Sequence, residues 1–191
     1  MKKSLAVPIG MVLFLMLAPN AFSQTCVPAG GNIIIGGAGT SFDFISNGLP
    51  SNDSCWTEQN VNFVANTTTC GWSANAFEFP VTFSAGLGQS FTIPADDQRT
   101  HFALSYLMDF DDPNHDSFDR VIIMVWDNTA GRLLLSDSYS GTQPSLLCMR
   151  RDTAIFSGSL AGHTIIVQFQ GANGYPNTHI RFHHIQFWGW N

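Results

Sequence analysis

"HFALSYLMDF", residues 101–110, decides the fold class, because its large apolar side chains recur at every second position. Successive side chains of a β-strand point to opposite faces, so this spacing predicts a strand with one face in a core. The core face would carry Phe102, Leu104, Tyr106, Met108 and Phe110. The opposite face would carry His101, Ser105 and Asp109, which is typical of an antiparallel sheet with one solvated side.

Similar short runs fill the rest of the chain, and turn residues separate them. Apolar residues do not recur at helical spacing. The run at 120–126, "RVIIMVW", is apolar on both faces, so we expect a central strand with Trp126 in the core. Further strands are predicted at 32–36, 41–45, 60–64, 77–83, 89–93, 132–138, 153–157, 163–170 and 178–188. We therefore predict an all-β protein with one domain, an antiparallel jelly-roll β-sandwich.

The first residues, "MKKSLAVPIGMVLFLMLAPNAFS", have the layout of a secretory signal peptide of the bacterial type. Two lysines precede a short apolar run and a small-residue cleavage region, so we predict a signal at 1–23 and the sandwich domain at 24–191. The alternative is a membrane anchor, but the run is shorter than a bilayer span requires. The mature chain is expected to be secreted and not inserted in a membrane.

Without the signal the chain has no lysine, and six arginines face fourteen acidic residues, a net charge of −8. Nucleic acids and anionic membrane surfaces attract basic patches, so neither is an expected partner.

Four cysteines remain: Cys26, Cys55, Cys70 and Cys148. An even number in an exported chain predicts two disulfides, for which three pairings exist. In one of them Cys55–Cys70 closes a short loop and Cys26–Cys148 ties down the N-terminus. No pair has the CxxC spacing that is usual in structural zinc sites.

Four segments of the chain follow one another in the same order as similar segments in one group of β-sandwich proteins. These are "SFDFISNGLPSNDSCW" (41–56), "GQSFTIP" (88–94), "FDRVIIMVWDNTAGRLLLSDS" (118–138) and "THIRFHHIQFW" (178–188). This order resembles jelly-roll carbohydrate-binding modules and MAM-like domains of the galactose-binding-like type. The resemblance implies a β-sandwich that binds glycans or mediates adhesion. It also implies a structural calcium held partly by an aspartate near the last strand, where this chain has His183 and His184.

The segment "DFDDPNHDSFD", residues 109–119, is the acidic loop of this chain. Calcium prefers six to eight oxygen ligands, and carboxylates on a flexible loop supply them. The predicted ligands are Asp109, Asp111, Asp112, Asp116 and Asp119, with Asn114 beside them. The alternative is a solvated acidic turn, in which Asp119 pairs with Arg120 or caps a strand.

Tryptophan and tyrosine rings in polar segments are the candidate ligand contacts, because sugars stack their apolar faces on aromatic rings and binding residues concentrate in loops. These candidates are Trp56, Trp72, Tyr139 and Tyr175. For Trp188 and Trp190 burial under a loop and a subunit contact are both open. Catalysis is poorly supported, since Glu58 and Glu78 are the only glutamates and nothing places them together.

The sequence therefore predicts a secreted, non-catalytic module that recognises extracellular glycans or a surface protein. The alternative is an extracellular structural subunit that self-associates through its sheet edges, which lysines would otherwise protect. A hydrolase with an unfamiliar site is the third reading.

Overall fold

The computed structural model describes residues 57–67, 74–143 and 146–191. These residues form ten strands and no helix. The strands are β1 (Thr57–Gln59), β2 (Asn62–Thr67), β3 (Ala74–Phe79), β4 (Thr82–Thr92), β5 (His101–Asp111), β6 (Arg120–Asp127), β7 (Arg132–Ser140), β8 (Leu146–Ser157), β9 (Thr164–Asn173) and β10 (His179–Trp190). The strands predicted at 32–36 and 41–45 lie outside the described residues.

The strands build two five-stranded sheets in which the hydrogen-bonded neighbours are antiparallel. The first sheet has the order β1-β4-β9-β6-β7, and the second has the order β2-β3-β10-β5-β8. From β3 to β6, and again from β7 to β10, each successive strand lies in the other sheet. This arrangement is the predicted all-β sandwich.

The core lies between the two sheets and is rich in phenylalanine. Phe169 of the first sheet meets Phe182 of the second with ring centroids 4.7 Å apart, and Phe91 meets Phe187 at 5.1 Å. Tyr106 of β5 and Tyr139 of β7 join the sheets through their hydroxyls, which are 2.8 Å apart. The predicted core face of 101–110 is confirmed, because its five members are all buried.

Two predicted strand boundaries were wrong. The run at 77–83 is two strands, because β3 ends at Phe79 and the chain crosses to the other sheet through Pro80, which has no N–H to donate to a ladder. The run at 89–93 is only the second half of β4, which begins at Thr82 and passes through Gly86 and Gly88.

The prediction for 120–126 needs a similar correction. β6 does lie between β9 and β7, but its residues alternate between buried and partly buried. Trp126 lies on the partly buried side and not in the core. β9, in contrast, is buried on both faces along nearly its whole length.

Candidate functional site

One end of the sandwich gathers five chain connections, at 60–61, 80–81, 112–119, 141–145 and 174–178, of which 144–145 lie outside the described residues. The strand register requires this, because Thr82 pairs with Asn173 and His179 pairs with Asp111. We call this end, without residues 144–145, the loop end. It contains the acidic loop and the candidate ligand residue Tyr175.

Three of the five predicted metal ligands come together at the loop end. Asp112, Asp116 and Asp119 each offer a carboxylate oxygen, and these oxygens lie within 4.8 Å of one another. We call these three residues the acidic cluster. Asp112 and Asp119 are buried, and Asp116 is partly buried.

Backbone amides of the acidic loop donate hydrogen bonds to carboxylates of the same loop. Asp112 accepts hydrogen bonds from the amides of Asn114 at 2.9 Å and Asp116 at 3.1 Å. Asp116 Oδ1 accepts from the amides of Phe118 and Asp119 at 2.8 and 3.3 Å. Aspartate side chains commonly form such local bonds, which explains why a segment this acidic adopts a defined turn.

Two other connections tie the acidic cluster to the rest of the loop end. The Thr178 hydroxyl donates to Asp119 Oδ2 at 2.7 Å, and the amide of Gly174 donates to Asp119 Oδ1. The amide of Gly141 donates to the Asp119 carbonyl at 2.8 Å. A Cβ at position 141 would lie 1.9 Å from Asp112 Oδ2, so the close approach of this turn requires glycine.

Burial and the charges of its two neighbours disfavour the ionised state of Asp119. Burial raises the pKa of Asp119, and the charges of Asp112 and Asp116 raise it further, against the hydrogen bonds from Gly174 and Thr178. Asp116 Oδ2 is buried and accepts no hydrogen bond. A divalent cation would offset the repulsion between the carboxylates and bind to that oxygen, so the residues present fit such an ion.

The other two predicted ligands do not join the acidic cluster. Asp109 and Asp111 belong to β5, where alternation places them on the outer face of the second sheet, with buried Phe110 between them. Asp109 lies opposite Arg181 in the ladder, and its Oδ1 is buried without a hydrogen-bond partner. Burial raises the pKa of Asp109, while the charge of Arg181 opposes that shift. Asn114 bonds to Asn177 at 3.2 Å.

Exposed apolar side chains lie at the same end of the sandwich as the acidic cluster. Phe118 is 63% exposed and Tyr175 is 40% exposed. The neighbouring Asp116 carboxylate raises the pKa of Tyr175, which places the phenol beside the cluster. Val81 and Phe83, also exposed, lie at the same end. The sequence analysis missed Phe118, although an aromatic residue inside an acidic loop was a usable signal.

Tyr139 is the other candidate ligand residue that the structure describes. Tyr139 belongs to the core, is 7% exposed and bonds to Tyr106, so it does not occupy the loop position that the sequence suggested. Trp56 and Trp72 lie outside the described residues. Of the two candidate rings that the structure describes, Tyr175 lies beside the acidic cluster and Tyr139 does not.

Cys148 is disulfide-bonded and adopts a left-handed φ of 56° on β8. Cys26, Cys55 and Cys70 lie outside the described residues, so the pairing stays a prediction.

The two glutamates belong to different sheets, Glu58 to β1 and Glu78 to β3, and Glu78 forms an ion pair with Arg181. Within the described ranges no helix is long and apolar enough to cross a membrane.

No protein-family model and no curated protein sequence matches the chain. Solved structures do resemble it. TmCBM61, a carbohydrate-binding module in complex with β-1,4-galactotriose, superposes with a TM-score of 0.51 at 13% identity, over 70% of this chain and 88% of that one. The enzymatically active domain of tailspike protein 4 from bacteriophage CBA120 has a TM-score of 0.53 at 13% identity, over 77% and 21%.

An exo-β-agarase matches with a TM-score of 0.50 at 12% identity, over 76% of this chain and 25% of the agarase. The chain thus spans only about a fifth to a quarter of these two larger proteins. The chain has the jelly-roll-like β-sandwich fold of carbohydrate-binding modules, as the sequence resemblance predicted.

Proposed function

We propose that this chain is an exported, non-catalytic module that binds extracellular glycans at the loop end. The observation that carries the proposal is the position of Phe118 and Tyr175, two exposed rings beside the acidic cluster. An aromatic face takes the apolar side of a pyranose, while carboxylate, amide and hydroxyl groups bind its hydroxyls. Asn114 and Asn177 supply amides at the same end.

The fold supports this proposal through TmCBM61, which binds β-1,4-galactotriose. A fold by itself does not establish a function, so the argument depends on the loop-end residues. The exo-β-agarase and the tailspike keep a hydrolase as an alternative. The placement of Glu58 and Glu78 in different sheets argues against a glutamate pair across one glycosidic bond.

The test is retention of the mature chain on galactan, xylan and agarose, compared with the double variant Phe118→Ala/Tyr175→Ala. Loss of both rings should weaken binding at least about tenfold, since base stacking on aromatic rings provides a comparable ~1–3 kcal/mol per ring. Leu133→Ala is the matched control, because Leu133 is an exposed apolar residue at the opposite end of the sandwich. Equal retention of wild type and double variant would remove the loop end as the site.

We also propose that the acidic cluster binds calcium. Asp112, Asp116 and Asp119 would hold the ion, and the unpartnered Asp116 Oδ2 supports this assignment. The ion would brace the acidic loop against the connection that carries Tyr175, through Thr178 and Gly174. It would therefore orient the two rings without contacting the sugar.

Thermal unfolding in calcium and in EDTA tests the ion. Calcium at about a hundred times its dissociation constant should stabilise the fold by about 2.7 kcal/mol. Asp116→Asn should remove the effect, whereas Asp137→Asn, a substitution on β7, should keep it. A melting temperature that does not respond to calcium or EDTA would refute the calcium site and leave the glycan proposal standing.

A further inference from the structure

A second aromatic surface lies on the outer face of the second sheet, near the end opposite the loop end. Trp188 and Trp190 alternate on β10 with buried Phe187 and Gly189, and His101 of β5 pairs with Trp190 in the ladder. The Trp188 and Trp190 rings have centroids 4.8 Å apart, and His101 stacks on Trp190 at 5.4 Å. We call these three residues the aromatic row.

The aromatic row is held in place by the strands beneath it. Trp188 Nε1 donates to the Ser105 hydroxyl at 2.7 Å, and Ser105 is itself buried. A Cβ at position 189 would lie 2.9 Å from the Phe102 ring, so glycine allows β10 to approach β5 closely between the two tryptophans. All three rings of the row are partly buried, which leaves part of each accessible.

Polar groups border the aromatic row. The Ser105 hydroxyl also bonds to Asp152 of β8, which lies opposite it in the ladder. Asp152 pairs with Arg150 at 3.0 Å, and their side chains are 43% and 75% exposed. A carboxylate and a guanidinium beside stacked rings suit a ligand with an apolar face and many hydroxyls. A lipid or an apolar helix would have to desolvate this ion pair.

The aromatic row and the loop end lie at opposite ends of the same strand pair. The ladder of β5 and β10 runs from Asp111 and His179 to His101 and Trp190. At ~3.3 Å per residue, the ten steps of β5 separate its ends by roughly 33 Å. No small sugar spans that distance, but a polysaccharide chain does.

We infer that the aromatic row is a second glycan-binding site, and that a polysaccharide engages it together with the loop end. This inference rests on the proposed function, since it assigns the same class of ligand to a separate surface. Two linked sites on one polymer raise the overall affinity by about 10²–10⁴ over one site, without any new contact.

Affinity electrophoresis in gels with soluble galactan or xylan, and titration with their short oligosaccharides, test the inference. Trp188→Ala/Trp190→Ala should weaken polymer binding on the order of a hundredfold and leave oligosaccharide binding at the loop end in place. Trp126→Ala is the matched control, because Trp126 is a partly buried tryptophan on the outer face of the other sheet. If the double variant does not fold, His101→Ala, which removes only the terminal ring of the row, replaces it.

The outcomes separate the two proposals. Unchanged polymer binding by the aromatic-row variant overturns the second site. If Phe118→Ala/Tyr175→Ala still abolishes binding in that experiment, the loop-end proposal survives. A wild-type chain that binds none of the polymers or oligosaccharides overturns both.

Discussion

The hydroxyl of Thr178 donates a 2.7 Å hydrogen bond to the carboxylate of Asp119, although 59 residues separate them in the chain. Both side chains are buried, and the same hydroxyl lies 3.2 Å from Asp112 Oδ1. The contact joins the acidic loop to the connection between β9 and β10. It therefore sets the position of Tyr175 relative to the acidic cluster.

Thr178→Val should destabilise the fold by about 1–3 kcal/mol, because it leaves a buried, charged acceptor without this donor. Urea denaturation of the calcium-free protein measures the change. Thr142→Val is the control, since Thr142 is exposed and bonds to Ser140 in the neighbouring turn. A loss at position 178 no larger than at position 142 would contradict the bracing role.

Gly141→Ala should cost at least about 1–3 kcal/mol, the usual range for overpacking a closed site. The new methyl would meet Asp112 Oδ2 at 1.9 Å and the Asp116 carbonyl at 2.7 Å, and backbone amides already hold that carboxylate. Gly131→Ala measures backbone strain alone, because position 131 has a φ of +64° and no neighbour within 4 Å, whereas Gly141 is not among the glycines with positive φ. A loss of unfolding free energy below about 1 kcal/mol at position 141 would show that Gly141 is not packed this tightly.

The Tyr106–Tyr139 hydrogen bond predicts a non-additive pair of substitutions. Burial raises the pKa of Tyr106, as does the hydrogen bond to Tyr139, so the Tyr106 phenol stays protonated. Tyr139→Phe leaves the buried Tyr106 hydroxyl without this partner and should cost about 1–3 kcal/mol. Tyr106→Phe/Tyr139→Phe should cost less than the sum of the single variants, as a double-mutant cycle in urea would show. Additive losses would mean that the two hydroxyls do not interact.

Alternation predicted the strands well where one strand stays in one sheet. The run 101–110 predicted β5, because its apolar period matches a half-buried strand. The same reasoning failed at Pro80, where the chain crosses between the sheets, and at the glycines inside β4, because proline and glycine in the sequence do not by themselves tell a turn from a strand. The sequence analysis assigned Tyr139 to a polar segment, yet its pairing with Val121 on β6 places it in the core.

The candidate site was only partly predictable for a related reason. Composition identified the acidic loop. However, β5 ends at Asp111, so only the aspartates that follow this residue lie in the connection and form the acidic cluster. Thr178 and Gly141 come from distant connections, and no local pattern assigns them to Asp119 and Asp112. Only the register of the two sheets brings them together.

The pH dependence of stability should carry opposite contributions from two buried aspartates. Burial raises the pKa of Asp109 above its unfolded value, so the folded state holds the proton more tightly, and stability falls as pH rises from about 4 through the folded pKa. For Asp127 burial raises the pKa, but hydrogen bonds from Ala130, His163 and Arg132 prevail and lower it. Its stabilisation is present above pH 4 and is lost as pH falls through the folded pKa.

Asp109→Asn should therefore raise the free energy of unfolding at pH 7 and reduce the fall of stability above pH 4. Part of the fall in stability above pH 4 should remain in this variant, because Asp119 is still present and its pKa is also raised. Asp127→Asn should instead destabilise at pH 7 by about 1–3 kcal/mol, since it removes a buried, hydrogen-bonded carboxylate that pairs with the half-exposed Arg132, and by less at pH 3. Urea denaturation between pH 3 and 8 measures both curves. A destabilising Asp109→Asn at pH 7 would mean that the attraction of Arg181 outweighs burial and that the assigned direction is reversed.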